Sequence, residues 1–289
     1  MGTRPDHRWS SLERPPLEAA ALRRALRVGE PGSWWRALDV VDSTGSTNAD
    51  LAAAARAGAE EATVRVAEHQ SDGRGRMGRG WQAPPRSALT MSLLVRPRVA
   101  VAKWSWLPLL AGVAVADAVR SVGEVEATLK WPNDVMVSGL KLAGVMLERV
   151  DTPAGPAAVL GVGINVTNSR AELPVPAATS LLLEGAASTD RQPLLVSVLR
   201  AIEARYAAWV LDAEAGAAPI TGGLQASYIR RCATLGREIR VELPDESMVS
   251  GRAETVDEDG RLVVVSPAGR EVLAAGDVVH VRPERSAAP

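Results

Sequence analysis

The chain has 289 residues, 46% of them hydrophobic, and 33 basic against 34 acidic residues leave a net charge of -1. That length supports one large domain or two unequal ones, and the charge balance gives no global attraction for nucleic acid or an anionic membrane. A single cysteine, Cys232, excludes an internal disulfide and a cysteine metal site, and no metal site is expected. No apolar run is expected to reach the roughly 18 residues of a membrane span, and the amino terminus lacks the apolar centre of a signal peptide, so the expected location is cytoplasmic.

In chain order, residues 1–35 read as an arm, with helical spacing at Leu22 and Leu26 after Pro15-Pro16. From Trp35 the pattern is mixed. Leu38–Val41 reads as a strand, and Ser46 or Thr47 caps a helix running to Arg56 and stopped by Gly58. Thr63–Ala67 and Leu89–Val95 read as strands, and Leu107–Val122 as a long apolar helix buried on most sides. Ala127–Lys130 is a strand ending at Trp131-Pro132. Val135–Val137 and Lys141–Arg149 form a hairpin through Ser138-Gly139, and Ala157–Val166 is a further strand. Leu194–Leu211 is a helix with Pro193 just ahead of it. The last fifty residues hold five short strands separated by turns: Ile239–Leu243, Met248–Val256, Arg261–Val265, Glu271–Leu273 and Val278–Val281. That spacing predicts a small SH3-like barrel. The domains expected are therefore an arm over 1–35, a body over 36–235 and a barrel over 236–285.

Two segments carry chemistry. Gly73-Arg74-Gly75-Arg76-Met77-Gly78-Arg79-Gly80 alternates a residue that lets backbone approach a ligand with one that offers a planar fork of donors to an anion. Alone, such a run also fits a flexible nucleic-acid-binding tail. The second segment is Lys130-Trp131-Pro132-Asn133-Asp134 with Lys141-Leu142-Ala143-Gly144. In a chain whose lysines are only Lys103, Lys130 and Lys141, two fall within this stretch. Asparagine is also scarce, at Asn48, Asn133, Asn165 and Asn168.

With Ser46-Thr47-Asn48, Gln70 and Gly161-Val162-Gly163-Ile164-Asn165-Val166, these segments resemble the biotin protein ligases in order and spacing. The likeness covers about residues 36 to 285 and is of the monofunctional type, without an amino-terminal DNA-binding domain. It implies an α+β fold: a mixed sheet flanked by helices, class II synthetase-like, followed by the small barrel. It also implies ATP-dependent formation of biotinyl-5'-adenylate and pyrophosphate, then transfer of biotin to one lysine of a biotin carboxyl carrier domain of an acyl-CoA or pyruvate carboxylase. Biotin and ATP are the substrates, with Mg²⁺ carried on ATP. A monomer or weak homodimer is expected.

By resemblance, Ser46, Thr47, Asn48, Gln70, Arg74, Gly75, Arg76 and Lys141 bind biotin, and Arg76, Arg79, Trp81, Asn133 and Asn165 bind ATP or the adenylate. Lys141, Arg76, Lys130 and Asp134 carry the chemistry. Short polar groups at a helix start suit the ureido ring of biotin, although plain N-capping would use the same residues. A compact ammonium at Lys130 or Lys141 can neutralise a phosphate and an attacking carboxylate together. Asp134 can orient a lysine, meet a Mg²⁺ or help deprotonate the incoming lysine. Gly161, Gly163 and Asn165 suit either a strand pressed against a ligand or a bulged core strand. The glycine-rich loop is expected to be disordered without ligand, because fixing it costs much backbone entropy, and the adenine contact stays open. Two rival readings are a lipoate or octanoate ligase of related fold and a biotin-responsive DNA-binding repressor. The ureido-type cluster and the barrel speak against the first, and the short arm and lack of net positive charge against the second.

Overall fold

The computed structural model describes residues 14–214 and 223–280. A seven-stranded mixed sheet runs in the order β1-β2-β3-β7-β6-β5-β4. Its strands are β1 (Ala37–Val41), β2 (Thr63–Ala67), β3 (Ala88–Val95), β4 (Thr128–Lys130), β5 (Asp134–Val137), β6 (Leu140–Thr152) and β7 (Gly155–Asn165). β1 and β2 are parallel and every other pairing is antiparallel. The expected strands are present, and the β6 hairpin strand extends further, to Thr152.

Alternation along β3 and β7 sorts side chains to two faces. Leu89, Met91, Leu93 and Val95 of β3, with Ala158, Leu160, Val162 and Ile164 of β7, enter the main core. That face is covered by α3 (Trp106–Gly123) and α4 (Arg191–Glu214), which pack on each other. The stretch Val101–Gly123 is, contrary to expectation, long and apolar enough by composition to cross a membrane, but most of it is buried inside this core. α4 starts three residues earlier than expected, so Pro193 occupies its first turn, where no intrahelical N–H is needed. On the other face, α2 (Thr47–Arg56) buries Leu51, Ala52 and Ala55 against Leu94, Val150, Ala157 and Val159.

The amino-terminal segment is tied down from Arg14 onward. α1 (Ala19–Leu26) buries Leu22 and Leu26. Glu68 and Arg191, both 4% exposed, form an ion pair; Glu68 also accepts from Leu17 N, and Arg191 donates to Pro15 O. Residues 1–13 of the expected arm lie outside the described residues.

A short helix absent from the sequence reading, α5 (Leu224–Arg231), leads to the carboxy-terminal sheet. That sheet comprises β8 (Glu238–Glu242), β9 (Met248–Val256), β10 (Leu262–Ser266), β11 (Gly269–Leu273) and β12 (Asp277–His280), antiparallel in the order β11-β10-β9-β8-β12. It is an SH3-like barrel; Val281 and the expected end at 285 lie outside the described residues. Tryptophans stitch it to the body. Trp106 Nε1 donates to Glu258 O at 2.8 Å, Trp131 Nε1 to Gly260 O at 3.2 Å and Trp131 N to Thr234 Oγ1 at 3.1 Å. Indole N–H groups satisfied in this way hold the two parts in fixed relation.

Candidate active site

The site opens on the α2 face of the sheet. Ser46, the N-cap of α2, has extended backbone and accepts weakly from Ala49 N at 3.4 Å. Gln70 Oε1 accepts from Thr47 N at 2.8 Å and from Thr47 Oγ1 at 2.9 Å. Ser92 Oγ lies 2.7 Å from Thr47 Oγ1 and 2.5 Å from Asn48 Oδ1. One hydroxyl proton cannot serve both acceptors. Asn48 Nδ2 is buried with no partner. A buried cluster with acceptors in excess and a free amide donor suits a ligand that both donates and accepts.

β7 makes room for this cluster by withdrawing side chains. Ala157 and Val159 fill the α2 face, but the next two residues on it are Gly161 and Gly163. A Cβ at Gly161 would collide with the Asn48 amide, and one at Gly163 would stand 2.5 Å from the Trp81 ring. Asn165, next on that face, is 5% exposed and donates Nδ2 to Thr179 O at 2.9 Å. The residues that left two readings open are thus a strand pressed against two site side chains.

A bulge sets the lysine. Val135 pairs with Ala143 while Met136 pairs with Lys141, so Leu142 is an extra residue in β6. Leu142 and Ala143 both enter the core, and Lys141 and Gly144, three apart, both reach the cavity. Lys141 Nζ stands 2.6 Å from Asp134 Oδ1. That oxygen has no aligned donor, so the contact is an ion pair rather than a directed hydrogen bond. A Cβ at Gly144 would lie 3.3 Å from Lys141 Cε and Nζ, and any larger side chain would displace the ammonium.

The glycine-rich loop carries its own hydrogen bonds. Trp81 N donates to Gly73 O at 2.8 Å and Gly75 N to Arg79 O at 2.6 Å, and Arg76–Gly78 forms one tight turn. Arg76 donates to Asn133 Oδ1 at 3.3 Å, while Asn133 Nδ2 donates to Val145 O at 2.9 Å. This links the loop to the turn after the cis Trp131-Pro132 bond. Burial pulls the Arg76 pKa down from its ordinary value, against the pull of Asp134 and Asp277. Arg79 donates to Asp277 of β12, and Arg74 pairs with its neighbour Asp72 at the surface.

These elements enclose one cavity of about 410 Å³, a size that suits a small organic ligand. Residues 39–165 match the family described as "Biotin/lipoate A/B protein ligase family", and residues 234–281 the "Biotin protein ligase C terminal domain". The chain is 47% identical over 274 residues to a biotin--[acetyl-CoA-carboxylase] ligase of Mycobacterium tuberculosis, covering 93% of this chain and 97% of that one. The chain belongs to the biotin protein ligase family. It is also 29% identical to the bifunctional ligase/repressor BirA of Bacillus subtilis, over 91% of this chain and 78% of the relative. Among solved structures, it superimposes on the biotin protein ligase of Aquifex aeolicus in complex with biotin and ATP with a TM-score of 0.67, at 26% identity, covering 86% of this chain and all of that one.

In this ligase the cavity gathers Ser46, Thr47, Asn48, Gln70, Arg74, Gly75, Arg76, Arg79, Trp81, Asn133, Asp134, Lys141 and Asn165 among its lining. Lys130 is not in that lining. It pairs with Asp134 on edge strand β4, one strand further from the cavity, and its charge acts on His280 of the barrel. The sequence reading missed three groups. Thr90, Met91, Val145 and Met146 line the cavity from β3 and β6; Thr90 and Met146 pair with Gly163 and Gly161, so alternation could have found these two, while Met91 and Val145 belong to the opposite, core face. Pro174, Val175 and Ala178 approach because Lys141 N donates to Ala177 O and Thr179 N to Lys141 O, adding a short parallel bridge. Gly276 and Asp277 come from the barrel, and no local signal marks them.

Proposed function

We propose that this single cavity carries both steps of an ATP-dependent biotin protein ligase. In the first, a carboxylate oxygen of biotin attacks the α-phosphorus of ATP. The bond to the bridging oxygen breaks, and pyrophosphate leaves with the electron pair. In the second, the neutral amine of a carrier lysine attacks the acyl carbon of biotinyl-5'-adenylate, AMP departs, and the amine loses a proton.

The observation that carries this reading is the pairing of a polar cluster at the α2 start with the Lys141–Asp134 ion pair in one cavity under a glycine-arginine loop. Thr47, Asn48, Gln70 and Ser46 take the ureido ring: the Asn48 amide donates to its carbonyl, and the acceptors around Thr47 receive its N–H groups. Lys141 sits where the carboxylate meets the α-phosphate and neutralises the charge that builds there. Asp134 fixes Lys141 and is the carboxylate nearest to take a proton from the incoming amine. Arg74, Gly75 and Arg76 cover the adenylate and exclude water, which would hydrolyse it. Arg79 reaches the phosphates, Trp81 offers a face to adenine, and Asn133 and Asn165 hold the walls. Lys130 takes no direct part.

Among the described residues no cluster of three or more His, Cys, Asp or Glu could hold a metal. A Mg²⁺ arriving with ATP would therefore draw its ligands chiefly from phosphates, water and Asp134. The carrier we propose is the biotin carboxyl carrier domain of an acyl-CoA carboxylase, or of pyruvate carboxylase, met in the cytoplasm by a monomer or weak homodimer. ATP–pyrophosphate exchange with biotin, lipoate and octanoate supplied separately tests the reading. Exchange with biotin alone is expected, and exchange with lipoate in its place would sink it.

A further inference from the structure

We infer that Asp277 of the barrel is an exchangeable latch on the glycine-arginine loop, which triphosphate displaces from Arg79 and which recloses over the adenylate once pyrophosphate has gone. The inference rests on the ligase reading and adds a positioning residue from outside the catalytic sheet.

Three observations place it. Asp277 accepts a charge-assisted hydrogen bond from Arg79 across 198 positions of sequence, and both residues line the cavity. Its negative charge also acts on Arg76, the half-buried arginine of the same loop. Its backbone is fixed: Gly276 has φ +156°, and a Cβ there would run into the Val241 side chain and lie 3.2 Å from Glu242 O. Asp277 pairs in register with Glu242 in the β8–β12 ladder. The barrel that carries it is held to the body through Trp106 and Trp131. An exposed loop arginine thus meets a carboxylate on a rigid support.

Charge then sets a sequence of events. Before nucleotide binds, Asp277 neutralises Arg79 and keeps the loop folded. ATP brings several negative charges close to Asp277, which repel the carboxylate and compete for Arg79, so the ion pair is exchanged for phosphate contacts. When pyrophosphate leaves, the adenylate keeps a single phosphate charge near Arg76. Arg79 is released to Asp277, and the loop closes while the reactive anhydride awaits the carrier.

The latch therefore acts with opposite signs on two quantities. Removing its charge lowers the cost of binding ATP and weakens the hold on the adenylate. For Asp277→Asn, the KM for ATP in biotin-dependent exchange should fall about two- to fivefold, with the KM for biotin unmoved. Escape of preformed biotinyl-adenylate, read as the rate at which free hydroxylamine traps the activated biotin without carrier, should rise by a similar factor. Asp277→Glu should return both toward wild type. A residue that merely braces the fold would raise both on substitution. An unchanged or raised KM for ATP, an unchanged escape rate, or no recovery with glutamate would each overturn the latch. Wild-type enzyme runs alongside: exchange with biotin there while the variant fails these signs removes the latch alone, whereas no wild-type exchange removes the ligase reading itself.

Discussion

The two faces of the central sheet are built from alternate residues of the same strands and do opposite work. In β7, Ala158, Leu160, Val162 and Ile164 face α3 and α4 and pack the main core. Their neighbours Gly161, Gly163 and Asn165 face α2 and the glycine-arginine loop, where an added Cβ at either glycine would strike Asn48 or Trp81. One face gains from every methylene it buries, at about 25 cal/mol per Å². The other is useful because it leaves space that a ligand fills. A binding site in a sheet is thus made by subtraction on one face, and the fully packed opposite face keeps the strand in register while it happens.

The contrast can be broken first at Lys141. Lys141→Ala should lower biotin-dependent ATP–pyrophosphate exchange by about 100-fold or more, with circular dichroism and melting temperature near wild type, because a half-exposed ammonium contributes charge rather than packing. Residual exchange close to wild type would remove that lysine from the chemistry. Arg76→Ala should act later in the reaction. Adenylate should still form, but about tenfold more activated biotin should reach free amines, detected as biotinylation of an unrelated protein.

A matched pair of substitutions sharpens the comparison. Gly161→Val should weaken biotin binding in calorimetry by about 10- to 100-fold through the Asn48 amide, at modest cost to stability. Leu160→Ala, one residue away on the packed face, should do the reverse, costing about 2–5 kcal/mol in urea unfolding while leaving the biotin affinity of the folded protein nearly unchanged. If both affected the same quantity, the division between the faces would not hold.

The smallest effect expected lies at the seam with the barrel. His280 Nε2 is 3.3 Å from Thr234 Oγ1, and the charged form of the half-buried ring is disfavoured by burial and by the nearby charges of Arg237 and Lys130, lowering its pKa to about 4. In the unfolded chain the ring takes up a proton nearer pH 6.5. The unfolded state therefore binds more protons between these values. The contribution is complete above about pH 6.5 and is lost as pH falls toward 4. With a partly exposed ring the change should be below about 1 kcal/mol, seen as a smaller drop in the urea midpoint from pH 7 to pH 5 in His280→Gln than in wild type.

The order of the strands and of every helix but α5, and the segments that meet at the cavity, were legible in the sequence because each rests on local rules. Period-two alternation, helix caps and glycine turns act over a few residues, and a glycine-arginine run declares anion chemistry wherever it is placed. Lys141, Asp134, Thr47, Asn48 and Gln70 are named instead through the resemblance of their short motifs to the biotin protein ligases. Three things were decided only by the tertiary structure. The Leu142 bulge turns Lys141 to the same side as Gly144, and a bulge is set by what lies on both sides of a strand. Lys130, of the same residue type and in the same motif, sits one strand too far out, because only sheet order determines distance from the cavity. Asp277 reaches Arg79 because Trp106 and Trp131 dock the barrel, and a contact made through the packing of two separate sheets leaves no periodicity in either segment.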